Sequence, residues 1–321
     1  MTGSGLTAFV ARRLAFTLPL LLLISFGVFA LVHLAPGDPA RALLGARPAS
    51  AATMAAIRAA YHLDDPFIVQ YGKWLWQVLQ GDLGRSIRGN QPVVQMIGDR
   101  LPLTAWLTLY STILVIGLGI PLGALAAARR GGMLDRFVVM MGVFGVSSPA
   151  FVSGIILLYL FGVVLGWFPT FGAGRGFADQ FRHLVLPALA LALSIMAIVI
   201  KVTRASIIEV QEKDYVGFAR ARGLSPPRIF FVYVLRNALI PVVTAAGIII
   251  VALVGGALYV ETTFALPGIA TLMIEAVQKR DIPLVQGTTL FFAVFVVLIN
   301  LGIDVLYVLI DPRVRLGREG S

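Results

Sequence analysis

The sequence predicts an all-α integral membrane protein with six transmembrane helices and both termini on the cytoplasmic side. Three observations lead there. Of 321 residues, 58% are hydrophobic and only 13% are charged, about half the charged share of a soluble domain. Several apolar runs approach or exceed the roughly 20 residues that a helix needs to cross a bilayer. Lysine and arginine also fall mainly on one side of those runs.

The first run is Leu14–Leu34, preceded by Arg12 and Arg13. It has the charge and length of a retained span, with a signal peptide as the alternative; the following "HLAPGDPA" offers no convincing small-x-small cleavage site, which favours the span. Residues 35–100 mix polar and apolar character and form a partly helical extracytoplasmic insertion. Ser50 or Thr53 can cap a first helix there, and Asp65-Pro66 can open a second. Tyr71, Trp74, Leu75 and Val78 recur at helical spacing, so this stripe either packs on the rest of the protein or docks a partner.

Five further spans follow, at Leu103–Ala127, Phe137–Leu165, Leu184–Ile200, Ala238–Val260 and Val285–Ile310. The chain thus divides into residues 1–34, 35–100 and 101–321, with a cytoplasmic loop at 206–237. With both termini inside, cytoplasmic segments hold 15 Lys and Arg against six Asp and Glu, and outer segments 11 against nine. This agrees with the positive-inside rule. The net charge of +10 therefore reads as membrane topology, and nucleic acid is not expected as a partner.

Catalytic and metal signals are missing. There is no cysteine, and His33, His62 and His183 lack ligand spacing. HExxH, GxSxG and Walker patterns do not occur, and "GAGRG" at 172–176 fails the dinucleotide pattern. Any energised work must draw on a gradient or on another chain. Ser147, Ser148 and Pro149 interrupt the third predicted span; proline there breaks a backbone bond, and such breaks either line paths or serve packing. Asp304 lies in the last span and is either an ion-coupling carboxylate or a locally bonded one near the span end. Gly119/Gly123, Gly162/Gly166 and the pair Gly255, Gly256 permit close helix approach. Ser147, Ser148, Pro149, Gly255, Gly256 and Asp304 are the candidates for lining or gating a path.

Between the fourth and fifth spans stands "DYVGFARARGLSPPRIFFVYVLRNALIP". Asp214 can cap two turns of helix, Gly223 can end them in the left-handed conformation, and Ser225-Pro226-Pro227 can open another helix. The first helix is roughly 12 Å long, too short to hold alone in water. Tyr215, Phe218 and Ala219, with Arg222 beside them, form its expected docking face. The surface that receives it is its own bundle, lipid headgroups or a separate cytoplasmic protein.

This stretch resembles the cytoplasmic loop of permease subunits of binding-protein-dependent ABC importers, in its dipeptide, oligopeptide and nickel branch. Of that family's general Glu-Ala-Ala, Gly and Ile-x-Leu-Pro pattern, Ala219, Gly223 and Leu235 agree. Asp214-Tyr215-Val216, Ala219-Arg220-Ala221, Gly223-Leu224 and the run from Leu235 to Pro241 match the peptide branch better. The resemblance extends over "LAPGDPARALLG", "LDDPFIVQYGKWLWQVLQGDLGRSI", "ETTFALPGIATLMIEAVQKRDIPLVQG" and "DVLYVLIDPRVRLG", a combination similar to the first of the two permeases in such importers.

The resemblance implies a second, homologous permease, two cytoplasmic ABC ATPases that hold ATP and magnesium, and an extracytoplasmic binding protein that delivers substrate. This chain would carry no cofactor and no ATPase site of its own, and would lie in a bacterial or archaeal inner membrane. Asp214, Tyr215, Phe218, Ala219, Ala221, Arg222, Gly223 and Leu224 would form the ATPase-coupling helix, and Tyr71, Trp74 and Trp76 a docking surface for the binding protein. Short peptides, including glutathione-like ones, are the expected cargo, with nickel or another small solute as the alternative. A gradient-driven transporter using Asp304 and a membrane scaffold are the rival classes.

Overall fold

The computed structural model describes residues 4–34, 38, 40–41, 50–60 and 63–310. The tail after Ile310, His62 and most of the loop from 35 to 49 lie outside the described residues, as do the side chains of His33, Ser147 and Asp304. Among the described residues the chain is helices and turns, with one isolated antiparallel bridge between Arg85 and Pro92.

The helices are α1 (Ser4–Leu34), α2 (Ala51–Ala60), α3 (Phe67–Leu79), α4 (Val93–Ala128), α5 (Met133–Ser147), α6 (Ala150–Leu157), α7 (Phe177–Gln211), α8 (Asp214–Ala221), α9 (Arg236–Thr263), α10 (Ile269–Gln278) and α11 (Ile282–Ile310). Two π-helical turns adjoin them: Leu158–Val164 continues α6, and Ile229–Leu235 leads into α9. Five of the six predicted apolar segments lie within single helices, and the third, Phe137–Leu165, is divided between α5, α6 and a π turn by a break at Ser148 and Pro149. Among the described residues, four stretches are long and apolar enough to cross a membrane: Val93–Ala128, Phe177–Gln211, Pro226–Val243 and Ile282–Ile303. Shorter apolar helices occupy Ala15–Ala30, Ala150–Val164, Ile249–Thr263 and Ile269–Gln278. The helices outrun the apolar segments because backbone hydrogen bonding continues past the point where side chains turn polar; α7 extends from Phe177 to Gln211 around the apolar stretch Leu184–Ile200.

The described residues fall into two compact units, one within residues 1–102 and 267–301, the other within 103–266 and 302–321. In the first, Ser50 Oγ accepts from the Thr53 N–H at 3.2 Å and so caps α2, and Pro66 opens α3. Asp281 is buried and accepts hydrogen bonds from Ser86 Oγ (2.5 Å) and from the backbone N–H groups of Ile87 (3.2 Å), Arg88 (3.3 Å) and Leu284 (3.4 Å). It caps α11 and fastens the 86–88 turn to it. Val93, Ile97, Ile269, Leu272, Ala276 and Leu284 make the apolar core beneath.

In the second unit, α7 is the central helix. Leu191, Ala192, Ile195, Met196, Val199 and Ile200 of α7 all enter the core, and its neighbours approach through glycines. A Cβ added at Gly119 or Gly123 of α4 would lie 3.0 Å from Val199 Cγ1 or 2.7 Å from Thr203 Cβ; one at Gly145 of α5 would lie 2.5 Å from the Leu193 carbonyl oxygen. At Gly256 of α9 it would meet Leu191 Cδ1 at 2.7 Å. Without a strong hydrophobic drive inside lipid, such backbone approach is what holds helices together. The Gly162/Gly166 pair does something else: Gly162 packs on Thr170, and Gly166 sits in a turn at φ +63°.

Gly123→Ala, whose Cβ would also lie 2.8 Å from the Ile200 carbonyl oxygen, should therefore lower stability by about 1–3 kcal/mol through overpacking against backbone that cannot yield. Gly117→Ala, with nothing within 4 Å, should be neutral. Thermal melting of the purified protein in detergent reads the difference, and equal midpoints would reject the close α4–α7 approach.

Candidate functional site

The elbow begins where α7 ends. Lys213, extended at φ −75° and ψ 145°, occupies the N-cap position without a side-chain cap bond. This corrects the expectation for Asp214, which is instead the first residue of α8, where its carboxylate complements the positive end of the helix dipole. Gly223 adopts φ +71°. Its N–H bonds the Arg220 carbonyl at 2.9 Å and the Leu224 N–H bonds that of Ala219 at 3.3 Å, the paired closure that a left-handed residue after a helix makes. Ser225 stands at the next N-cap position, also without a side-chain bond, followed by Pro226 and Pro227.

The predicted docking face is split. Ala219 turns inward with Val216, at 4% and 0% exposure, while Tyr215 and Phe218 are 41% and 70% exposed. Successive helical residues differ by about 100°, so Phe218 and Ala219 cannot share a stripe as narrow as this. Val216 and Ala219 pack with Ala127 of α4, Ile207 and Val210 of α7, Ile229 and Val234 of the π turn, and Ala238 of α9; Leu224 joins their margin. Asp214, Ala221, Arg222 and Gly223 are exposed together with Tyr215 and Phe218. The elbow is thus seated by one face on the ends of three long helices and presents two aromatic rings and an arginine on the other.

Ion pairs brace this seat. Glu212 Oε1 accepts from Arg130 Nη1 at 3.0 Å, and Lys213 Nζ pairs with Glu209 at 2.9 Å. At the start of α5, Asp135 is buried and receives a two-pronged bond from Arg204 of α7, with Nε to Oδ1 at 2.6 Å and Nη2 to Oδ2 at 2.7 Å. The Gly131 N–H adds a third bond at 2.9 Å. The Arg204 guanidinium, then the Gly131 N–H, hold the Asp135 carboxyl down at about 2 from 3.8. A lowered carboxylate stabilises the fold above its unfolded value and loses that contribution only as pH falls through the folded one. The pair is therefore ionised at every physiological pH.

Above the pair, α5 stops at Ser147 and α6 starts after Pro149, which takes the cap position at φ −56° and ψ 144°. The predicted interruption is thus a complete helix break. A cavity of about 390 Å³ lies beside it, bordered by Phe137, Val138, Gly142, Gly145 and Ser148, by Ser153 and Leu157 of α6, and by Leu193, Met196 and Ile200 of α7, among others. Ser153 Oγ donates to Ser148 Oγ at 3.4 Å. Gly255 and Gly256 do not border this cavity: Gly256 is spent on packing against Leu191, and Gly255 faces open space.

The aromatic stripe of the insertion is mostly used inside its own unit. Tyr71 Oη lies 2.8 Å from Ser25 Oγ, and the rings of Tyr71 and Trp74 stand 5.6 Å and 5.4 Å from that of Phe29. Packing on α1 accounts for both, and of the three expected docking residues Trp76, at 63% exposure, faces outward. His183 bonds its own-helix neighbour Asp179, and among the described residues no group of three acidic or histidine side chains could hold a metal. The sequence reading overlooked the Asp135–Arg204 pair, the Asp281 cap and buried Glu261, which accepts from Thr104 Oγ1 at 2.6 Å. Only Asp281 carried a local signal, since "RDIP" places an acid just before a proline-bearing first turn.

Comparison with known proteins agrees with this architecture. Residues 119–316 match the model of the binding-protein-dependent transport system inner membrane component, and residues 6–108 match its N-terminal membrane component. A protein of Brucella abortus (strain 2308) named as a candidate peptide transport system permease is 41% identical over 314 residues, covering 97% of this chain and 99% of that protein. The glutathione transport system permease protein GsiC of Salmonella paratyphi A is 40% identical over 307 residues, covering 96% and 98%. The fold is shared with the MetNI methionine ABC transporter in an inward-facing form, at TM-score 0.54 and 18% identity over 68% of this chain and 97% of that one. The chain belongs to the inner membrane components of binding-protein-dependent transport systems, as a multi-pass ABC importer permease of the peptide type.

Proposed function

We propose that this chain is one of two permeases in an ATP-driven importer, crossing the inner membrane six times with both termini in the cytoplasm. A homologous second permease, two cytoplasmic ATPases and an extracytoplasmic binding protein complete the assembly. ATP and magnesium are held by the ATPases. The observation that carries this reading is the two-sided elbow: Val216 and Ala219 are buried against the chain's own helices while Tyr215 and Phe218 stand exposed. A helix of eight residues fastened on one side and aromatic on the other suits a groove in a separate protein, because exposed aromatic and arginine side chains are the usual anchors of such contacts.

Residues 214–224 then act as the coupling element, and the ATPases bias the bundle between two states through it. The break at Ser148 and Pro149 and the cavity beside it are the proposed path. The cargo is a short peptide or a glutathione-like one, on the strength of relatives named for those transport systems; nickel import is the second reading within this family.

Gentle extraction of a tagged chain from its own membrane, followed by mass spectrometry, should return a second permease and two ATPases in near-equal amounts. A lone chain or a homo-oligomer would overturn the proposal. In that complex Gly223→Val should abolish transport or release the ATPases, because a β-branched residue resists φ +71°. Normal uptake by the variant would remove the elbow as the coupling point.

A further inference from the structure

The Asp135–Arg204 pair stands at a junction that the importer reading leaves unexplained. Arg204 lies one helical turn beyond Ile200 on α7, and Asp135 lies just before Phe137 and Val138 on α5; Ile200, Phe137 and Val138 all border the cavity. The pair therefore joins two walls of that cavity at one end. The same α4–α5 loop also carries Arg130, whose exposed ion pair with Glu212 lies two residues ahead of α8 and adds little holding energy. The buried fork is what ties this loop to the helix that carries the elbow.

The chemistry of the tie suits transmission better than adhesion. Apolar helix faces can slide past one another with little change in energy. A guanidinium fork on a buried carboxylate cannot turn without losing two charge-assisted bonds at once, and separating the pair would strand a charge in a poorly solvated site. Gly131, at φ +78°, aims its N–H at the same carboxylate, so the loop backbone moves with the pair.

We propose that Arg204 and Asp135 form a positioning strut that makes the start of α5 follow the α7–α8 elbow, so that nucleotide-driven movement of the elbow reaches the Ser148–Pro149 break. This rests on the importer reading given above. The chain contains no cysteine, so Ser148→Cys places a single thiol of this chain at the break.

The test uses the complex purified with its ATPases and reconstituted in liposomes. The rate at which a small cationic methanethiosulfonate modifies position 148 is read on this chain by mass spectrometry, with and without Mg-ATP and vanadate. The rate should change with nucleotide by about fivefold or more, the usual lower range of coupling between sites. Asp135→Asn and Arg204→Lys should each abolish most of that dependence with the ATPases still bound. The double variant Asp135→Asn, Arg204→Lys should be no worse than either single change, as coupled residues require. Equal nucleotide dependence in the parent and in Asp135→Asn would overturn the strut and leave the importer reading intact, and so would a parent that shows no nucleotide dependence. Absence of ATPases from the parent complex would instead overturn the importer reading.

Discussion

Seating of Val216 and Ala219 among the ends of α4, α7 and α9 is the contact on which the account depends. An eight-residue helix has no stability of its own; it exists because two small apolar side chains are fully covered by the long helices. That coverage also makes it an extension of those helices. A displacement imposed on its exposed side must be shared with α7 and with the π turn leading into α9, because Ile207, Val210, Ile229 and Val234 are in the same apolar cluster. Had the aromatic residues faced inward instead, the elbow would be a buried corner with nothing to offer a second protein.

Under the proposed importer reading, the surrounding bundle would pass such a displacement on. Glycines let α4, α5 and α9 approach α7 until a methyl group would clash, so α7 cannot move far without its neighbours. Against this tight packing the chain sets two deliberate weaknesses. One is the break at Ser148 and Pro149, where the helical ladder stops. The other is the pair of π-helical turns, Leu158–Val164 and Ile229–Leu235, a geometry that is rare and often found at functional places. The break and the first π turn lie beside or next to the cavity wall, and the second π turn lies in the seat of the elbow, so under the proposed importer reading the interruptions fall at both ends of the path of movement.

Much of this was legible in the sequence because its physics is local. Apolar run length located the long apolar helices, Gly223 declared the end of α8, Ser50 the start of α2, and Pro149 the break. What was hidden depends on partners far apart in the chain. Asp135 and Arg204 are 69 residues apart, and each alone looks like an ordinary charge at a span end. Tyr71 and Trp74 read equally as core or as interface until Phe29 of α1 appears beside them. The split between Phe218 and Ala219 was readable in part, since adjacent helical positions diverge, but only the location of Ile207 and Val210 decides which of them turns inward. Gly162 and Gly166 show the opposite failure, a spacing that matches a membrane motif while serving a loop contact and a turn.

The most direct test of the central claim places a photo-crosslinking amino acid at Phe218, the most exposed residue of the α8 aromatic face, and irradiates intact membranes of the native host. The account predicts one dominant adduct, to a cytoplasmic ATPase subunit, that is lost when the crosslinker is moved to buried Val216. Adducts only to lipid or to this chain itself would contradict it.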